Sequence, residues 1–252
     1  MAIKNNYLVI DFGNSCIKAG VYTKSNNRLV ETQTVDNKTS ATDLIKKFAC
    51  LASEIKIEQV IMSITARKEI TDSFISELNQ LLNVDIKVVK QSDFDKLLDL
   101  SNIDSSVKIG SDILVSAYYG IKTVHRGCVI SFGTVYYCVF FEGNQISNVL
   151  FVPSLVKAMQ NASQYGMIDK ESIPEVFDKT RGLNTKDAFA AGANLLIEGA
   201  VDWLSKIYGL LSDHVLITGG DAPKYKNLSK MYKYDNMLIV KGLILLLKEK
   251  SW

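Results

Sequence analysis

Tyr7-Leu-Val-Ile-Asp-Phe-Gly-Asn-Ser-Cys-Ile-Lys18 decides the fold, because much of it occurs twice. Tyr7 to Ile10 is a short apolar run of β type, and Asp11, Gly13, Asn14 and Ser15 are turn formers. Ile17 to Tyr22 reads as a returning strand, so the stretch predicts a hairpin with an acid at the exit of its first strand. Ser131 stands 120 positions after Asp11, and Val129-Ile-Ser-Phe-Gly-Thr134 aligns there with Val9-Ile-Asp-Phe-Gly-Asn14. Tyr136 to Phe141 supplies the second strand again. A repeat at this spacing is a domain duplication, not a solenoid unit.

The chemistry of such a pair is specific. Glycine at the turn lets backbone N–H groups approach an anion, and Asn, Ser or Thr adds side-chain donors. Asp11 suits a hydrated Mg²⁺ beside phosphates. An isolated D-x-G turn is an ordinary β-turn; the matched copy points to two hairpins clamping a nucleotide across a cleft.

Composition narrows the field. The 252 residues are 47% hydrophobic, enough for two ordinary domains with cores of their own. A net charge of +2 argues against a dedicated nucleic-acid binder. The lysines and tyrosines interleaved over 224–234 read as a solvated face. Cys16, Cys50, Cys128 and Cys138 form no C-x-x-C pair, and His125 and His214 are the only histidines, so no zinc site is expected. The thiols read as small hydrophobes of a reducing compartment. Lys4 precedes only a short apolar run, unlike a signal peptide, and Lys241 and Gly242 interrupt the longest apolar segment, Met237 to Leu247. A cytoplasmic protein that spans no membrane is expected.

In the first half, strands are predicted near Tyr7–Ile10, Ile17–Tyr22 and Arg28–Val35, then a helix opened by Ser40. A strand over Gln59–Thr65 leads to a helix capped by Thr71 or Asp72. A strand over Asp85–Lys90 leads to a short helix from Ser92. The order βββαβαβα fits one mixed sheet with helical crossovers. In the second half, Ser111 or Asp112 opens a helix to about Lys122, before strands at Cys128–Ser131, Tyr136–Phe141 and Gln145–Phe151. Pro153 is placed at a helix start and the polar segment 169–182 at the surface. Thr185 is expected to cap a long helix from Lys186 to about Leu211, with an apolar stripe of Ala193, Leu196, Ile197, Ala200, Leu204, Ile207 and Leu211. Gly192 and Gly199 on that helix fit either a close approach to the sheet or a contact between subunits. Strand His214–Thr218 runs into Gly219-Gly220, and strand Met237–Val240 precedes a last helix from Gly242. The expected domains are 1–109 and 110–252.

Four loops carry the chemistry: Asp11–Ser15, Gly110–Asp112, Gly133–Thr134 and Thr218–Gly220. Together they resemble the acetate kinase, sugar kinase, Hsp70 and actin superfamily, and more closely the type III pantothenate kinases. That family's D-x-G-N-[TS]-x-x-K stands here as Asp11-Phe-Gly-Asn-Ser-Cys-Ile-Lys18, and its strand ending in two serines as Ile61-Met-Ser-Ile-Thr65. Its G-x-D-R stands as Gly110-Ser-Asp-Ile113, and its D-x-G-T as Ser131-Phe-Gly-Thr134. Its Asn-Thr helix start stands as Asn184-Thr185, and its T-G-G as Thr218-Gly-Gly220. The resemblance covers essentially the whole chain, in order.

The resemblance implies duplicated ribonuclease H-like α/β domains of actin and Hsp70 type, with a cleft between them. It implies ATP-dependent phosphorylation of pantothenate, the first step towards coenzyme A, by a homodimer using Mg²⁺ and a monovalent cation. Carried over, Asp11 positions Mg²⁺, while Gly13, Asn14, Ser15, Lys18, Gly133 and Thr134 hold phosphates. Asp112 is the general base, Gly110, Ser111 and Thr185 meet pantothenate, and Gly219 and Gly220 border the adenosine. Capping the helix is the other reading of Asp112.

Several positions depart from the family pattern. Ile113 replaces an arginine that binds the substrate carboxylate, and Ser131 replaces the acid of the K⁺ site, which is expected to be weakened. Val135-Tyr136-Tyr137 replaces small and hydroxyl residues, and Ser154 replaces a glycine. These changes keep two other readings open: a nucleotide-binding relative acting as an accessory or regulatory protein, and a kinase for another hydroxylated substrate.

Overall fold

A computed structural model describes residues 6–52 and 55–250; Lys4 and its neighbours lie outside them. The chain forms two compact units. The first comprises residues up to Asp99, Asp104–Tyr119 and the segment from Met237 onward; the second comprises Leu100–Ile103 and Gly120–Asn236. This division differs from 1–109 and 110–252: residues 110–119 and the segment from Met237 onward belong to the first unit, and Leu100–Ile103 to the second.

The first unit holds a five-stranded sheet. Its strands are β1 (Asn6–Phe12), β2 (Cys16–Thr23), β3 (Arg28–Asp36), β4 (Ile57–Ile64) and β5 (Asp85–Val88), in spatial order β3-β2-β1-β4-β5. The first three form an antiparallel meander, and β4 and β5 join in parallel. Every residue of β1 is buried, as expected of a central strand covered on both faces. Edge strand β3 alternates between half-buried and exposed.

On one face, Leu8, Ile10, Phe12, Ile17 and Ala19 pack with α1 (Ala41–Lys46) and α3 (Lys68–Leu82) through Leu44, Phe74 and Leu78. The rings of Phe12 and Phe74 meet edge to face at 4.9 Å. A short α2 (Ala49–Ala52) follows α1. Ser40 caps α1 as expected, accepting from Asp43 N at 3.1 Å. Helix α3 starts earlier than predicted: Arg67 is its N-cap, and the Thr71 hydroxyl donates back to Lys68 O at 2.9 Å from inside the helix.

The other face is covered by α8 (Leu238–Lys250), against which α4 (Ser111–Val124) packs. A Cβ on Gly20 would lie 3.4 Å from Val240, and one on Gly242 would lie 2.8 Å from Val115 O, so Gly242 lets α8 approach α4. The predicted strand 237–240 is therefore a helix start. Its apolar run is compatible with either form, and burial of Leu238, Ile239, Val240, Leu243, Ile244, Leu246 and Leu247 shows it enclosed on nearly all sides.

The second unit repeats the plan. Its strands are β6 (Arg126–Phe132), β7 (Val135–Glu142), β8 (Gln145–Pro153), β9 (Val215–Thr218) and β10 (Lys233–Tyr234), in the order β10-β9-β6-β7-β8. Read from the other edge, this matches the first sheet strand for strand. Ile130, Phe132, Cys138 and Phe140 pack with α5 (Leu155–Gln164) and α6 (Thr185–Ile207) through Val156, Met159, Ala193 and Ile197. One turn of helix, α7 (Leu228–Met231), precedes β10.

Several local readings change here. Pro153 ends β8, and Ser154 is the N-cap of α5, accepting from Lys157 N at 3.2 Å. Asn184, not Thr185, caps α6, accepting from Asp187 N at 2.9 Å. The segment 169–182 is not all surface: Phe177 is fully buried, and its ring stacks on Tyr225 at 4.8 Å. Helix α6 buries Ala190, Ala193, Asn194, Ile197 and Val201, while Leu196, Ala200 and Ile207 of the predicted stripe are exposed. A Cβ on Gly192 or Gly199 would meet nothing within 4 Å, so neither glycine serves close packing on the sheet. No described helix is long and apolar enough to cross a membrane.

Candidate functional site

The first hairpin sets Asp11 and Lys18 opposite each other across β1 and β2, with Asp11 also paired in register with Ser63 of β4. Paired residues share a face, so an acid, an amine and a hydroxyl lie together at the carboxyl end of two parallel strands. Open α/β sheets bind ligands at such ends. All three residues are buried. Burial pushes the Asp11 carboxyl up to about 7; Lys18 opposes that rise and Asp112 adds to it. The turn is tight, with Gly13 N donating to Cys16 O at 3.0 Å, the same distance a Cβ on Gly13 would have from that oxygen. Asn14 and Ser15 are exposed, and Asn37 braces them by donating to Asn14 O at 2.6 Å.

Asp112 belongs to this same unit. It is the second residue of α4, and burial raises its carboxyl to about 6 against the pull of the Ile113 N–H and its own. The carboxylate folds back over the helix start, and a Cβ on Gly110 would sit only 2.6 Å from Asp112 Oδ1. Gly110 is thus the residue that leaves room for it. Ser111 ties the helix start to the sheet, its hydroxyl 2.8 Å from Ser63 Oγ and 3.3 Å from both Ile64 N and Ile64 O. A helix N-terminus carries partial positive charge, which favours the ionised acid. Asp112 thus keeps a carboxylate on the helix end, and its charge is felt by Asp11.

The second unit places its residues in the equivalent frame. Ser131 pairs with Thr218 where Asp11 pairs with Ser63. The turn is one residue shorter, since Phe132 pairs with Tyr136 where Phe12 pairs with Ile17, so Tyr137 takes the place of Lys18. The acid and amine of the first hairpin become a serine and a tyrosine. Gly133 and Thr134 form the turn. Gly219 has φ +98, and a Cβ there would lie 2.5 Å from the Phe132 backbone, so only glycine fits. A Cβ on Gly220 would face open space, which leaves a flat approach to the backbone. The Thr218 hydroxyl is buried without a partner among the described residues. Thr185 is exposed at the first turn of α6. The structure thus gathers Asp11, Lys18, Ser111 and Asp112 in one unit and Gly133, Thr134, Gly219 and Gly220 in the other.

Comparison with known proteins matches this arrangement to a family. The pattern of the type III pantothenate kinases fits residues 7–206, most of the chain. The chain belongs to the type III pantothenate kinase family. It is 24% identical to the type III pantothenate kinase of Mycoplasma mobile over 247 residues, covering 94% of this chain and 96% of the relative. It is 25% identical to that of Malacoplasma penetrans, covering 95% and 96%. The fold is shared with a Sinorhizobium meliloti protein described as a 2-dehydro-3-deoxygalactonokinase, at TM-score 0.62 and 12% identity over 98% of this chain and 99% of that one. A Campylobacter jejuni protein described as a Baf family transcriptional activator shares it at TM-score 0.56 and 16% identity, covering 97% and 98%. The duplicated ribonuclease H-like fold expected of this pantothenate kinase family member is the one observed.

The family pattern leaves two points to local geometry. Among the described residues, no group of three or more His, Cys, Asp or Glu side chains could hold a metal ion. Mg²⁺ does not need such a cage, because it keeps several waters and takes one or two carboxylates beside phosphates. The Asp11 carboxylate, buried and accepting no hydrogen bond among the described residues, fits that demand. Ile113 is buried, so the position of the family's arginine turns an apolar side chain inward here and offers no charge to an acceptor. Sequence reasoning also passed over Asp221, whose carboxylate meets Tyr136, Ser154 and Lys224. The acid directly after Gly219-Gly220 was the one available signal.

Proposed function

We propose that the protein transfers the γ-phosphoryl group of ATP to the hydroxyl of pantothenate, giving 4′-phosphopantothenate, the first step of coenzyme A biosynthesis. The observation that supports this most is the presence of two acids in one unit, Asp11 buried at the end of β1 and half-buried Asp112 at the start of α4, with the Asp112 charge adding to the rise of the Asp11 carboxyl. Phosphoryl transfer needs in-line positioning, charge neutralisation and one carboxylate to orient the nucleophile.

In this reading, Gly13, Asn14, Ser15 and Lys18 hold phosphate oxygens from the first hairpin, and Gly133 and Thr134 do so from the second. Gly219 and Gly220 border the adenosine. Mg²⁺, when bound at Asp11, supplies charge neutralisation for the β- and γ-phosphates. Gly110, Ser111 and Thr185 receive pantothenate, and Asp112 accepts the hydroxyl proton as that oxygen bonds to the γ-phosphorus. The bond from that phosphorus to the bridging oxygen breaks, and ADP leaves. Incubation with ATP, Mg²⁺ and pantothenate, with product read by mass, tests the reading: 4′-phosphopantothenate is expected. A protein that binds ATP and yields none of it supports the accessory reading, which the buried Ile113 favours. Transfer to another hydroxylated acceptor supports the third.

Two further outcomes follow. Ser131 and Tyr137 make the second hairpin neutral where the first carries an acid and an amine. Turnover is therefore expected to be indifferent to replacement of Na⁺ by K⁺; strong activation by K⁺ reveals another oxygen ligand. The protein is also proposed to be a homodimer. The outer face of α6 exposes Leu195, Leu196, Trp203 and Ile207 beside open Gly192 and Gly199, an apolar stripe at helical spacing. Light scattering should report a dimer for the native protein and a monomer for Leu196→Asp/Trp203→Asp. A native monomer, or a double variant that stays dimeric, removes this interface.

A further inference from the structure

The carboxylate of Asp221 is the meeting point of three elements of the second unit. Its Oδ2 accepts from Tyr136 OH of β7 at 3.2 Å and from Ser154 Oγ, at the cap of α5, at 3.2 Å. Its Oδ1 is 3.0 Å from Lys224 Nζ. Its backbone N–H donates to Phe132 O at 2.9 Å, at the end of β6. The side chain does not cap the short turn that it opens, which leaves both oxygens for these partners.

The surroundings hold this arrangement in place. Tyr136, Ser154 and Tyr225 are buried, and Tyr136 OH also lies 3.2 Å from Tyr225 OH. The Phe132 ring meets Tyr136 at 5.0 Å and Tyr225 at 5.3 Å. Gly219 lies against the Phe132 backbone, where a Cβ would come within 2.5 Å. Tyr136 and Ser154 are two of the positions that depart from the family pattern. They converge on one carboxylate, where a glycine in place of Ser154 would supply no hydroxyl.

We infer that Asp221 is a positioning residue that locks the Gly133–Thr134 turn to the Thr218–Gly220 loop, so that the two present one preformed surface to a nucleotide. This rests on the reading that the turn holds phosphate and the loop borders adenosine. ATP touches both elements and adenosine only one. Loss of the brace therefore weakens ATP more than adenosine, whereas a general loosening of the unit weakens both alike. Hydrogen bonds to a charged group are the strong ones, and losing this set is worth about tenfold in affinity.

Calorimetric titration of the full-length protein with MgATP and with adenosine tests this. Asp221→Ala is expected to weaken MgATP about tenfold or more, with adenosine weakened far less. Tyr136→Phe keeps the ring and removes one donor, and is expected to move affinity in the same direction by a smaller factor. Tyr136→Phe also keeps the test open if Asp221→Ala does not fold. Equal weakening of both ligands, or unchanged MgATP affinity in both variants, overturns the inference. The brace itself is read without nucleotide, by amide exchange over 132–136 and 218–222, which should quicken in either variant. Unchanged exchange overturns the brace; faster exchange in a protein whose native form binds no MgATP overturns the nucleotide reading instead.

Discussion

Asp112→Asn is expected to lower kcat by on the order of 10²–10⁴, the usual worth of a general base, while MgATP binding stays close to native. An amide keeps the shape at the start of α4 and can still accept from the Ile113 N–H, but it cannot take the acceptor's proton. The pH profile should carry the same information. Burial raises Asp112 to about 6, so the base is protonated in acid and turnover rises as pH passes through that value. Asp11 is raised to about 7 chiefly by burial, and the Asp112 charge adds to that rise. Turnover that is unchanged in Asp112→Asn, or a profile flat from pH 5 to 8 in the native protein, removes Asp112 as the base.

Much of this site is legible in the chain because it lies in turns and strand ends, where residue chemistry and backbone geometry coincide. The 120-residue offset between Asp11 and Ser131 corresponds to equivalent places in two sheets, each opposite a hydroxyl on the adjoining parallel strand. What the sequence hid were choices made by packing. Leu238 to Val240 reads equally well as strand or helix; contact with Gly20 and the approach of Gly242 to Val115 decide it. Helix α6 has two apolar faces, and periodicity alone could not tell that Ala193 and Ile197 face inward while Leu196 and Ile207 face out. The hydrogen bonds of Asp221 join residues 67 and 85 positions apart, so no local pattern announces them.

The departures from the family pattern also divide once the packing is known. Tyr136 and Ser154 are built into a polar network around Asp221, next to the Thr218–Gly220 loop. Ile113 is different: it buries an apolar side chain and replaces a charge with nothing. Of these departures it bears most directly on the acceptor, since a pantothenate carboxylate bound there must draw its counter-charge from another residue.

Asp11→Asn should separate stability from function in one protein. The folded-state value of about 7 lies above the ordinary carboxylate value of 3.8, so the folded protein holds this proton more tightly than the unfolded chain does. Between those two values the native state binds more protons than the unfolded state, and stability falls as pH rises. Above about 7 the full penalty of keeping a buried carboxylate ionised is present, on the order of a few kcal/mol. The amide resembles the protonated acid in shape and charge and avoids that penalty, less what is lost in attraction to Lys18. The variant is therefore expected to melt above the native protein at pH 8, with the gap closing towards pH 5. It should also lose Mg²⁺-dependent nucleotide affinity, because the charge that strains the fold is the one that would face the metal. Thermal melts at the two pH values and titrations with ATP, with and without Mg²⁺, decide the matter. A variant no more stable than the native protein at pH 8 removes the buried-charge argument, and one that binds MgATP as tightly as the native protein removes Asp11 from the metal site.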